Sequence, residues 1–444
     1  MNSSRRSFLK YSSAAALGAS VFSTFGSAQA TPEDAEPAPS NAFGDKLLRI
    51  ALIGCGGRGT GAVSQALHTA DAGLGDVKLV AMADAFSDRL ETSLSELTGW
   101  HPNQVDVPEE RRFTGFDAYK KAMVEDIDLV VLATPPGFRP IHFEHAVSLG
   151  KHVFMEKPVA VDATGARKVL AAAREADAKG LRVGVGLQRR HQQRYLETID
   201  RIKQGAIGDL TLLRCYWNSG GVWTRPREKG QSEMTYQMRN WYYFNWLCGD
   251  HITEQHIHNL DVCNWLVGDY PIEAQGQGGR LVRTGIDHGE IFDHHMVEFT
   301  YASGLKMLSQ CRHMPGTKSR VNEYAHGTRG TADIGGARIE NQGGWSWRFR
   351  GDEPNPYQVE HNDLFTAIRA GTPYNEAEHG AKSSMTSVLG RMATYSGQIV
   401  RWDDAINSGQ DLSPAAYDFN APPPVLPDEQ GRYAVPIPGV TPAF

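Results

Sequence analysis

A glycine-rich loop at residues 54–59 carries the most specific chemical pattern in the chain. It reads Gly-Cys-Gly-Gly-Arg-Gly, follows directly on the apolar run Leu48–Ile53 and precedes a helical stretch at residues 61–69. In a strand–turn–helix unit this spacing permits a tight turn, close approach of a pyrophosphate and close packing of the helix on the strand. The free N–H groups at the start of the helix then face the phosphates. We therefore predict a dinucleotide-binding loop formed by Gly54, Gly56, Gly57, Arg58 and Gly59.

A carboxylate, Asp84, ends the next apolar run at residues 77–83. At that place in a dinucleotide-binding unit, an acid accepts hydrogen bonds from the hydroxyls of the adenosine ribose. It would also repel a 2′-phosphate, so NAD is the expected cofactor and NADP is the less favoured one. Arg58 and Arg89 are two charges that would offset part of that repulsion. A flavin dinucleotide, or a glycine-rich turn that binds nothing, stays open as an alternative at this point.

A Glu-Lys-Pro tripeptide at residues 156–158 follows another apolar run, His152–Met155. Proline ends the strand ladder, and in an open parallel sheet the carboxyl ends of the strands face the ligand crevice. The segment GKHVFMEKP at residues 150–158 resembles the signature of the Gfo/Idh/MocA family of oxidoreductases, and the resemblance extends over about residues 47–402. It implies a Rossmann domain, a second domain with a large open sheet, and NAD(P)-dependent chemistry on sugars or polyols.

The resemblance also implies roles for particular residues of this first part. Lys157 is expected to contact the nicotinamide ribose and the reacting hydroxyl, and is therefore predicted to be catalytic. Thr134 and Pro135, which follow the apolar run at residues 128–133, are expected on the nicotinamide side of the cofactor. His142 and Glu156 complete the predicted cofactor-binding set.

Residues 249–268 resemble a second segment of the family, D-x-G-x-H-x-x-D-x-x-x-W-L-x-G. The first Asp of the pattern is replaced by Glu254 and its Gly by His256. The match implies that His258 is the general base toward the substrate hydroxyl, and a neutral imidazole suits proton transfer near neutral pH. Glu254 lies four residues before His258, so on a helix both share one face, and we predict that Glu254 orients His258 or binds a sugar hydroxyl. The positions that match the pattern are His258, Asp261, Trp265, Leu266 and Gly268.

Four further residues are predicted to bind the substrate: Arg190, Asp261, Trp241 and His256. Trp241 belongs to an aromatic-rich stretch whose rings either stack on sugar faces or pack in the core. The many histidines leave zinc as an alternative. However, no H-E-x-x-H motif is present, and His294 and His295 would face opposite sides of a strand. We therefore predict no metal.

The pattern of apolar runs and helical stretches changes near residue 200. Before it, apolar runs alternate with helical stretches, and after about residue 206 the runs become longer strands. This predicts an α/β fold with an N-terminal Rossmann dinucleotide-binding domain at 47–190 and a C-terminal α+β domain at 191–411, built on a large, mostly antiparallel open sheet. Residues 31–46 are predicted to be a flexible arm, and the Pro-rich tail 412–444 an extended strap over the surface. Two domains also fit a length of 444 residues.

The first 30 residues are typical of a twin-arginine signal peptide. Arg5-Arg6 precedes a short stretch of small apolar residues, and Ala28-Gln29-Ala30 is a cleavage motif. We therefore expect a periplasmic or otherwise exported protein that meets the twin-arginine translocase and inserts into no membrane once the signal is removed. Five cysteines without a C-x-x-C pair fit folding in a reducing compartment. The net charge of -6 argues against nucleic acid as a partner.

The combined prediction is an exported NAD(P)-dependent oxidoreductase that transfers hydride between a hydroxyl of a sugar, polyol or glycoside and a tightly bound nicotinamide cofactor. One alternative is an NAD-dependent glycoside hydrolase, in which transient oxidation at C3 permits elimination of the leaving group. The glycine loop somewhat resembles that of family 109 glycoside hydrolases, but their motif around the catalytic His is not matched. The other alternative is a non-catalytic sugar-binding protein that retains its dinucleotide. The family resemblance also implies a homodimer or homotetramer.

Overall fold

The computed structural model describes residues 43–444. The predicted signal peptide, and the predicted arm as far as residue 42, lie outside the described residues. Among the helices of the described part, none is both long enough and apolar enough to cross a membrane.

Parallel strands and helices alternate through the first part of the chain. The strands are β1 (Leu48–Ile53), β2 (Val77–Asp84), β3 (Arg112–Thr114), β4 (Leu129–Leu132), β5 (His152–Met155) and β6 (Val183–Val185). The helices are α1 (Gly57–Leu67), α2 (Ser87–Trp100), α3 (Ala118–Ala122), α4 (Arg139–Ser148) and α5 (Ala163–Ala178). The strand order β3-β2-β1-β4-β5-β6 reverses between β1 and β4, which is where open sheets of this kind bind their ligands. The predicted Rossmann architecture is confirmed.

A nine-stranded sheet follows. Its strands are β7 (Leu210–Ser219), β8 (Glu273–Gly279), β9 (His294–Thr300), β10 (Lys306–His313), β11 (Arg320–Gly327), β12 (Gly330–Asp333), β13 (Arg338–Asn341), β14 (Ser346–Arg348) and β15 (Val400–Arg401). Their order is β14-β13-β12-β11-β7-β10-β9-β8-β15, and only β7 and β10 pair in parallel. Along β10 every second side chain is buried, the pattern of a sheet with one face on the core. The predicted large, mostly antiparallel sheet is confirmed.

Helices of the second part pack on both sheets. They are α6 (Gln193–Lys203), α7 (Glu233–Arg239), α8 (Asn245–Cys248), α9 (His251–Glu254), α10 (Ile257–Val267), α11 (Pro356–Ala370), α12 (Ala377–Ser396) and α13 (Trp402–Ile406). The apolar side chains of α11, Leu364, Phe365 and Ile368, share a core with Leu48 and Ile50 of β1. Since α11 comes late in the sequence, the chain returns to the first sheet and ties the two parts together.

The Pro-rich tail from residue 412 onward contains no helix or strand. Phe419 packs against Phe116 and Phe86, with ring centroids 4.7 Å and 5.6 Å apart. Further along, Nε2 of Gln237 donates to the Val425 carbonyl at 2.7 Å. These contacts hold the tail against α7 and against the loops that follow β2 and β3.

Candidate active site

A cavity of about 640 Å³ lies where the carboxyl ends of the first-sheet strands meet the second part of the chain. Loops after β1, β2, β4 and β5 form one wall, and β7, α7, α9 and α10 contribute to the other. Most of the predicted site residues line it: Gly54, Gly56, Gly57, Arg58, Asp84, Thr134, Pro135, His142, Glu156, Lys157, Trp241, Glu254 and His258. The structure thus brings residues from distant parts of the sequence into one cleft.

The glycine loop is shaped to accept a pyrophosphate. Gly54 has a φ of +98°, and a Cβ there would lie 2.5 Å from the Thr134 nitrogen, so only glycine fits. Gly56 and Gly57 line the cavity, and a Cβ at either would meet nothing within 4 Å. Helix α1 begins at Gly57 with its unpaired N–H groups beside this open backbone, which suits an anion. Gly59 lies behind the loop instead of on the cavity, since a Cβ there would sit 2.0 Å from the Gly54 oxygen.

Asp84 is held in place at the end of β2. Its Oδ2 accepts from the Cys55 N–H at 2.7 Å, and its Oδ1 accepts from the Phe86 N–H at 2.9 Å. Burial raises the pKa of Asp84, while these two backbone hydrogen bonds act in the opposite direction. The oriented carboxyl group on the cavity wall is the feature that a ribose diol requires.

Arg58 is fixed toward the Glu156 side of the cavity. Its Nε donates to Oε1 of Glu156 in a short ion pair, and its Nη2 lies 3.8 Å from Oε1 of Glu360. Its guanidinium also lies over the Tyr357 ring, 4.8 Å from the centroid. Because the Glu156 carboxylate pairs with its guanidinium, Arg58 is less available to attract a 2′-phosphate. Glu360 and Tyr357 both lie in α11, and no pattern in the sequence marked them.

The predicted catalytic residues meet in the centre of the cavity. Lys157 Nζ donates to the Glu254 carbonyl at 2.6 Å and to its Oε1 at 3.1 Å. The other carboxylate oxygen of Glu254 and Nδ1 of His258 are buried and have no hydrogen-bond partner among the described residues. Trp217 stacks on His258, with ring centroids 5.8 Å apart. An acceptor and a ring nitrogen are therefore free to bind a ligand beside a cation.

Burial sets the protonation of this centre. Desolvation, and then the positive charge of Lys157, hold the pKa of His258 well below its ordinary value, so the imidazole is neutral near neutral pH. Desolvation raises the pKa of Glu254, although the Lys157 ammonium acts against this. A neutral imidazole next to a lysine–carboxylate pair can take a proton from a hydroxyl.

The wall after β4 is built around a buried arginine. Arg139 is 1% exposed, and it donates to the carbonyl oxygens of Leu132 at 2.6 Å and Thr134 at 2.7 Å. Burial lowers the pKa of Arg139 to about 10, so it stays charged at neutral pH. The Thr134 hydroxyl lies 3.3 Å from Nδ1 of His142, whose pKa is lowered to about 3 by burial and then by Arg139. Sequence reasoning missed Arg139, since a single arginine at the start of a helix is no specific pattern.

Three residues predicted to bind the substrate lie away from the cavity, which corrects those predictions. Arg190 and Asp261 form a two-pronged ion pair, Nε to Oδ2 at 2.9 Å and Nη2 to Oδ1 at 2.8 Å. Ser383 also donates to Asp261 at 2.7 Å, so the carboxylate is fully used. His256 is fully buried, with Nε2 2.7 Å from the Ser309 hydroxyl and Nδ1 3.2 Å from Asn259. These side chains join α10 to its neighbours and have no free group for a ligand.

One group of potential metal ligands occurs among the described residues: Asp250, His251 and His295, whose ligand atoms lie within 4.8 Å of one another. Asp250 already accepts from the Phe292 N–H at 3.0 Å and from the Tyr395 hydroxyl. These donors and the nearby imidazoles account for a buried carboxylate without an ion. The expected absence of a metal stays a prediction.

Comparison with known proteins identifies the class. The NAD-binding Rossmann fold of the Gfo/Idh/MocA oxidoreductase family matches residues 48–186, and the C-terminal domain of the same family matches residues 195–333. The two matches together cover more than half of the chain. The chain therefore belongs to the Gfo/Idh/MocA family, and it is an NAD-dependent oxidoreductase.

Individual relatives are distant. Inositol 2-dehydrogenase of Rhizobium meliloti (strain 1021) is 25% identical over 285 residues, which are 64% of this chain and 74% of that protein. The crystal structure of an aldose–aldose oxidoreductase from Caulobacter crescentus with glycerol gives a TM-score of 0.61 at 20% identity, over 80% of this chain and 100% of that one. A levoglucosan dehydrogenase with NADH and levoglucosan gives 0.64 at 16% identity, over 80% and 99%. At these identities the two structures show a shared fold.

Proposed function

We propose that this protein is an exported oxidoreductase that takes the proton from a hydroxyl of a sugar, polyol or glycoside and a hydride from the carbon bearing that hydroxyl, and that it retains its NAD between turnovers. One observation carries the proposal: Lys157 is paired with Glu254 beside a neutral His258, and both Glu254 and His258 keep an unpartnered buried atom. Two similar proteins support the proposal, because they are named as an inositol 2-dehydrogenase and a levoglucosan dehydrogenase.

The contacts of each residue indicate its role in the reaction. His258 takes the proton of the reacting hydroxyl, since its lowered pKa keeps the ring able to accept one. Lys157 stabilises the oxygen as its charge becomes more negative, and Glu254 holds the lysine in place. NAD would be held by the glycine loop and Asp84, and when bound it supplies the hydride acceptor. A substrate and cofactor that fill the cavity would displace its water and strengthen each charge interaction.

Export explains why the cofactor would be retained. Free NAD is scarce outside the cytoplasm, so an enzyme there is served best by a cycle that returns the cofactor to its starting state. Oxidation of one sugar and reduction of another is one such cycle. Transient oxidation followed by elimination and reduction, as in the glycosidase alternative, is another. The cavity geometry supports the oxidation step that both cycles share.

A substrate panel tests the proposal. The purified protein is first weighed intact by native mass spectrometry, where we expect NAD to copurify. Sugars, polyols and aryl glycosides are then added, and the absorbance of reduced nicotinamide and the release of aglycone are followed. Reduced cofactor without aglycone release supports the oxidoreductase, whereas aglycone release without net reduced cofactor supports the glycosidase. Neither signal from a protein with bound NAD would leave only the sugar-binding alternative.

Substitution of Lys157 tests the role of the central lysine, and substitution of Lys168 is the matched control. Lys157→Met removes the charge from the cavity, and Lys168→Met removes one from the surface, where Lys168 pairs with Glu144 at 3.0 Å. We expect the first variant to keep its NAD and lose turnover, and the second to behave as the unchanged protein. Full turnover by Lys157→Met would refute the proposed role.

Export is tested separately. Replacement of Arg5 and Arg6 by lysine, in the chain expressed with its own leader, is expected to keep the protein in the cytoplasm. Cell fractionation with and without a functional twin-arginine translocase measures the outcome. Equal recovery outside the cytoplasm in both strains would contradict export by this route.

A further inference from the structure

One exposed cation on the cavity wall has no carboxylate partner in the part of the chain that the structure describes. Arg225 lines the cavity and is exposed, and its guanidinium lies over the Trp223 ring, 5.4 Å from the centroid. Its backbone N–H donates to Oδ1 of Asn240 at 2.8 Å, and Asn240 is fully buried. This hydrogen bond anchors the loop and so holds Arg225 beside the aromatic ring.

The other cations of the cavity already have partners within the protein. Six cationic and three acidic side chains line it. Three of the cations have close carboxylate partners, in the pairs Arg58–Glu156, Lys157–Glu254 and Arg239–Asp88. Arg139 donates to backbone carbonyls inside the wall, and Arg89 lies 4.0 Å from a carboxylate oxygen of Asp88. Arg225 is the cation that remains for a ligand.

Arg225 lies with the aromatic rings that line the cavity. Trp223 packs edge-on against Trp241 at 6.0 Å, and both rings line the cavity. Arg239, in contrast, lies over the Phe86 ring at 3.8 Å, next to the carboxylate Asp84 that we assign to the adenosine ribose. The two arginines of this loop region therefore cover different rings, Arg239 on Phe86 and Arg225 on Trp223.

We propose that the substrate is an acidic sugar, whose ring stacks on Trp223 and Trp241 and whose carboxylate or sulfate pairs with Arg225. A planar guanidinium matches both groups through two parallel hydrogen bonds. Its position over an indole orients it and removes part of its water, which strengthens the pairing. This inference rests on the proposed function, because it names the class of sugar that the same site takes.

Three related sugars test it: a methyl glucoside, the corresponding methyl glucuronide, and the methyl glucoside bearing a 6-sulfate. Each is added to the NAD-loaded protein, and two quantities are measured. Quenching of tryptophan fluorescence reports binding, and the absorbance of reduced nicotinamide reports turnover. The proteins compared are the unchanged chain, Arg225→Gln, and Arg350→Gln as a control in an exposed arginine outside the cavity.

We expect the unchanged protein to bind at least one acidic sugar about tenfold or more tightly than the neutral one, since hydrogen bonds to charged groups are the stronger kind. Arg225→Gln should remove that preference, and Arg350→Gln should keep it. The comparison of glucuronide with sulfate then identifies the acidic group.

Each other result decides against one of the two proposals. Equal binding of neutral and acidic sugars, or an unchanged preference in Arg225→Gln, would overturn the acidic-sugar inference and leave the oxidoreductase intact. Loss of NAD from Arg225→Gln would assign the arginine to the cofactor and would also overturn it. Selective binding of acidic sugars without any turnover would uphold this inference and refute the oxidoreductase.

Discussion

The ammonium of Lys157 lies 3.1 Å from Oε1 of Glu254, and this ion pair joins the end of β5 to α9 across the cavity. One partner comes from the Rossmann sheet and the other from the second part of the chain, 97 residues apart. The ion pair thereby fixes the distance between the part of the cavity predicted to bind the cofactor and the part predicted to transfer the proton. Glu254 stands where the pattern quoted above has Asp, and its longer side chain reaches the lysine.

His258 is predicted to be the proton acceptor, and His258→Asn removes that function while keeping a polar side chain. We expect the rate of sugar oxidation to fall by about 10²–10⁴, the range of general acid–base catalysis. NAD binding should not change, because the ring takes no part in the bonds that hold Asp84, Arg58 and Lys157 in place. His68→Asn, in an exposed histidine, is the control. Rapid-mixing measurement of reduced nicotinamide decides the matter, and an unchanged rate would remove His258 from the mechanism.

The pH dependence of oxidation should follow the lowered pKa of His258. A base with an ordinary histidine pKa loses activity as the pH falls through about 6.5. Here burial holds the pKa well below that value, so the imidazole stays neutral and the rate should stay level from neutral pH down past 6.5. The pH profile of kcat, measured with one sugar, checks this. A midpoint near 6.5 would show that His258 is exposed to water or is not the base.

His191 should stabilise the fold in a pH-dependent way. Burial lowers its pKa, but hydrogen bonds to Asp363 at 2.7 Å and Glu376 at 3.1 Å outweigh this and raise it to about 10. Because the folded pKa is raised, the stabilisation is fully present below the unfolded value of about 6.5 and is lost as the pH rises through about 10.

Replacement of His191 by Gln should therefore cost roughly 2–3 kcal/mol at pH values below about 6.5, an amount below that of a fully buried pair because Asp363 is half exposed. The difference in the free energy of unfolding between the variant and the unchanged protein, measured with urea, should shrink toward pH 10. A constant difference across that range would mean that the imidazole is not charged in the folded state.

Two glycines of α1 provide opposite predictions for one substitution. Gly59→Ala would place a methyl group 2.0 Å from the Gly54 oxygen, which must displace the cofactor loop. Gly61→Ala would meet only Arg58 Nη1, at 3.8 Å, in the same helix. We expect the first variant to lose NAD affinity and stability, and the second to gain about 0.5–1 kcal/mol of helix stability. Thermal unfolding and NAD titration measure both, and equal effects would contradict the close packing at Gly59.

The C-terminal tail should slow the loss of NAD. Phe419 packs on Phe86 and Phe116, and both of these rings line the cavity. Phe419→Ala is expected to loosen that wall and to raise the rate at which NAD leaves during dialysis. Val440→Ala, in a side chain that is 76% exposed, should leave the rate unchanged. The same rate in all three proteins would show that the tail has no part in cofactor retention.

Sequence patterns identified the site where local geometry dictates residue type. The glycines of the 54–59 loop and the Glu-Lys-Pro at the end of β5 are such places, because a turn or a strand end allows few residues. Short-range pattern and three-dimensional position coincide there.

Sequence patterns did not identify the roles of residues that depend on contacts with distant parts of the chain. Arg190 and Asp261 looked available for a sugar in the sequence, but folding places them against each other with Ser383 of α12. Tyr357 reaches the cavity only because α11 returns to the first sheet. The strands between residues 320 and 348 were likewise not predicted, because their short runs carry few apolar residues and are stabilised by pairing with β7 and with one another.

A deuterium-transfer experiment measures the central step itself. A sugar that carries deuterium on the carbon of its reacting hydroxyl is mixed with the NAD-loaded protein, and the bound cofactor is weighed by mass spectrometry. If His258 and Lys157 support oxidation, the retained cofactor will be reduced and will carry the deuterium, whereas Lys157→Met will leave it oxidised and unlabelled. Turnover of the sugar with no deuterium on the cofactor at any time would contradict oxidation by the bound NAD.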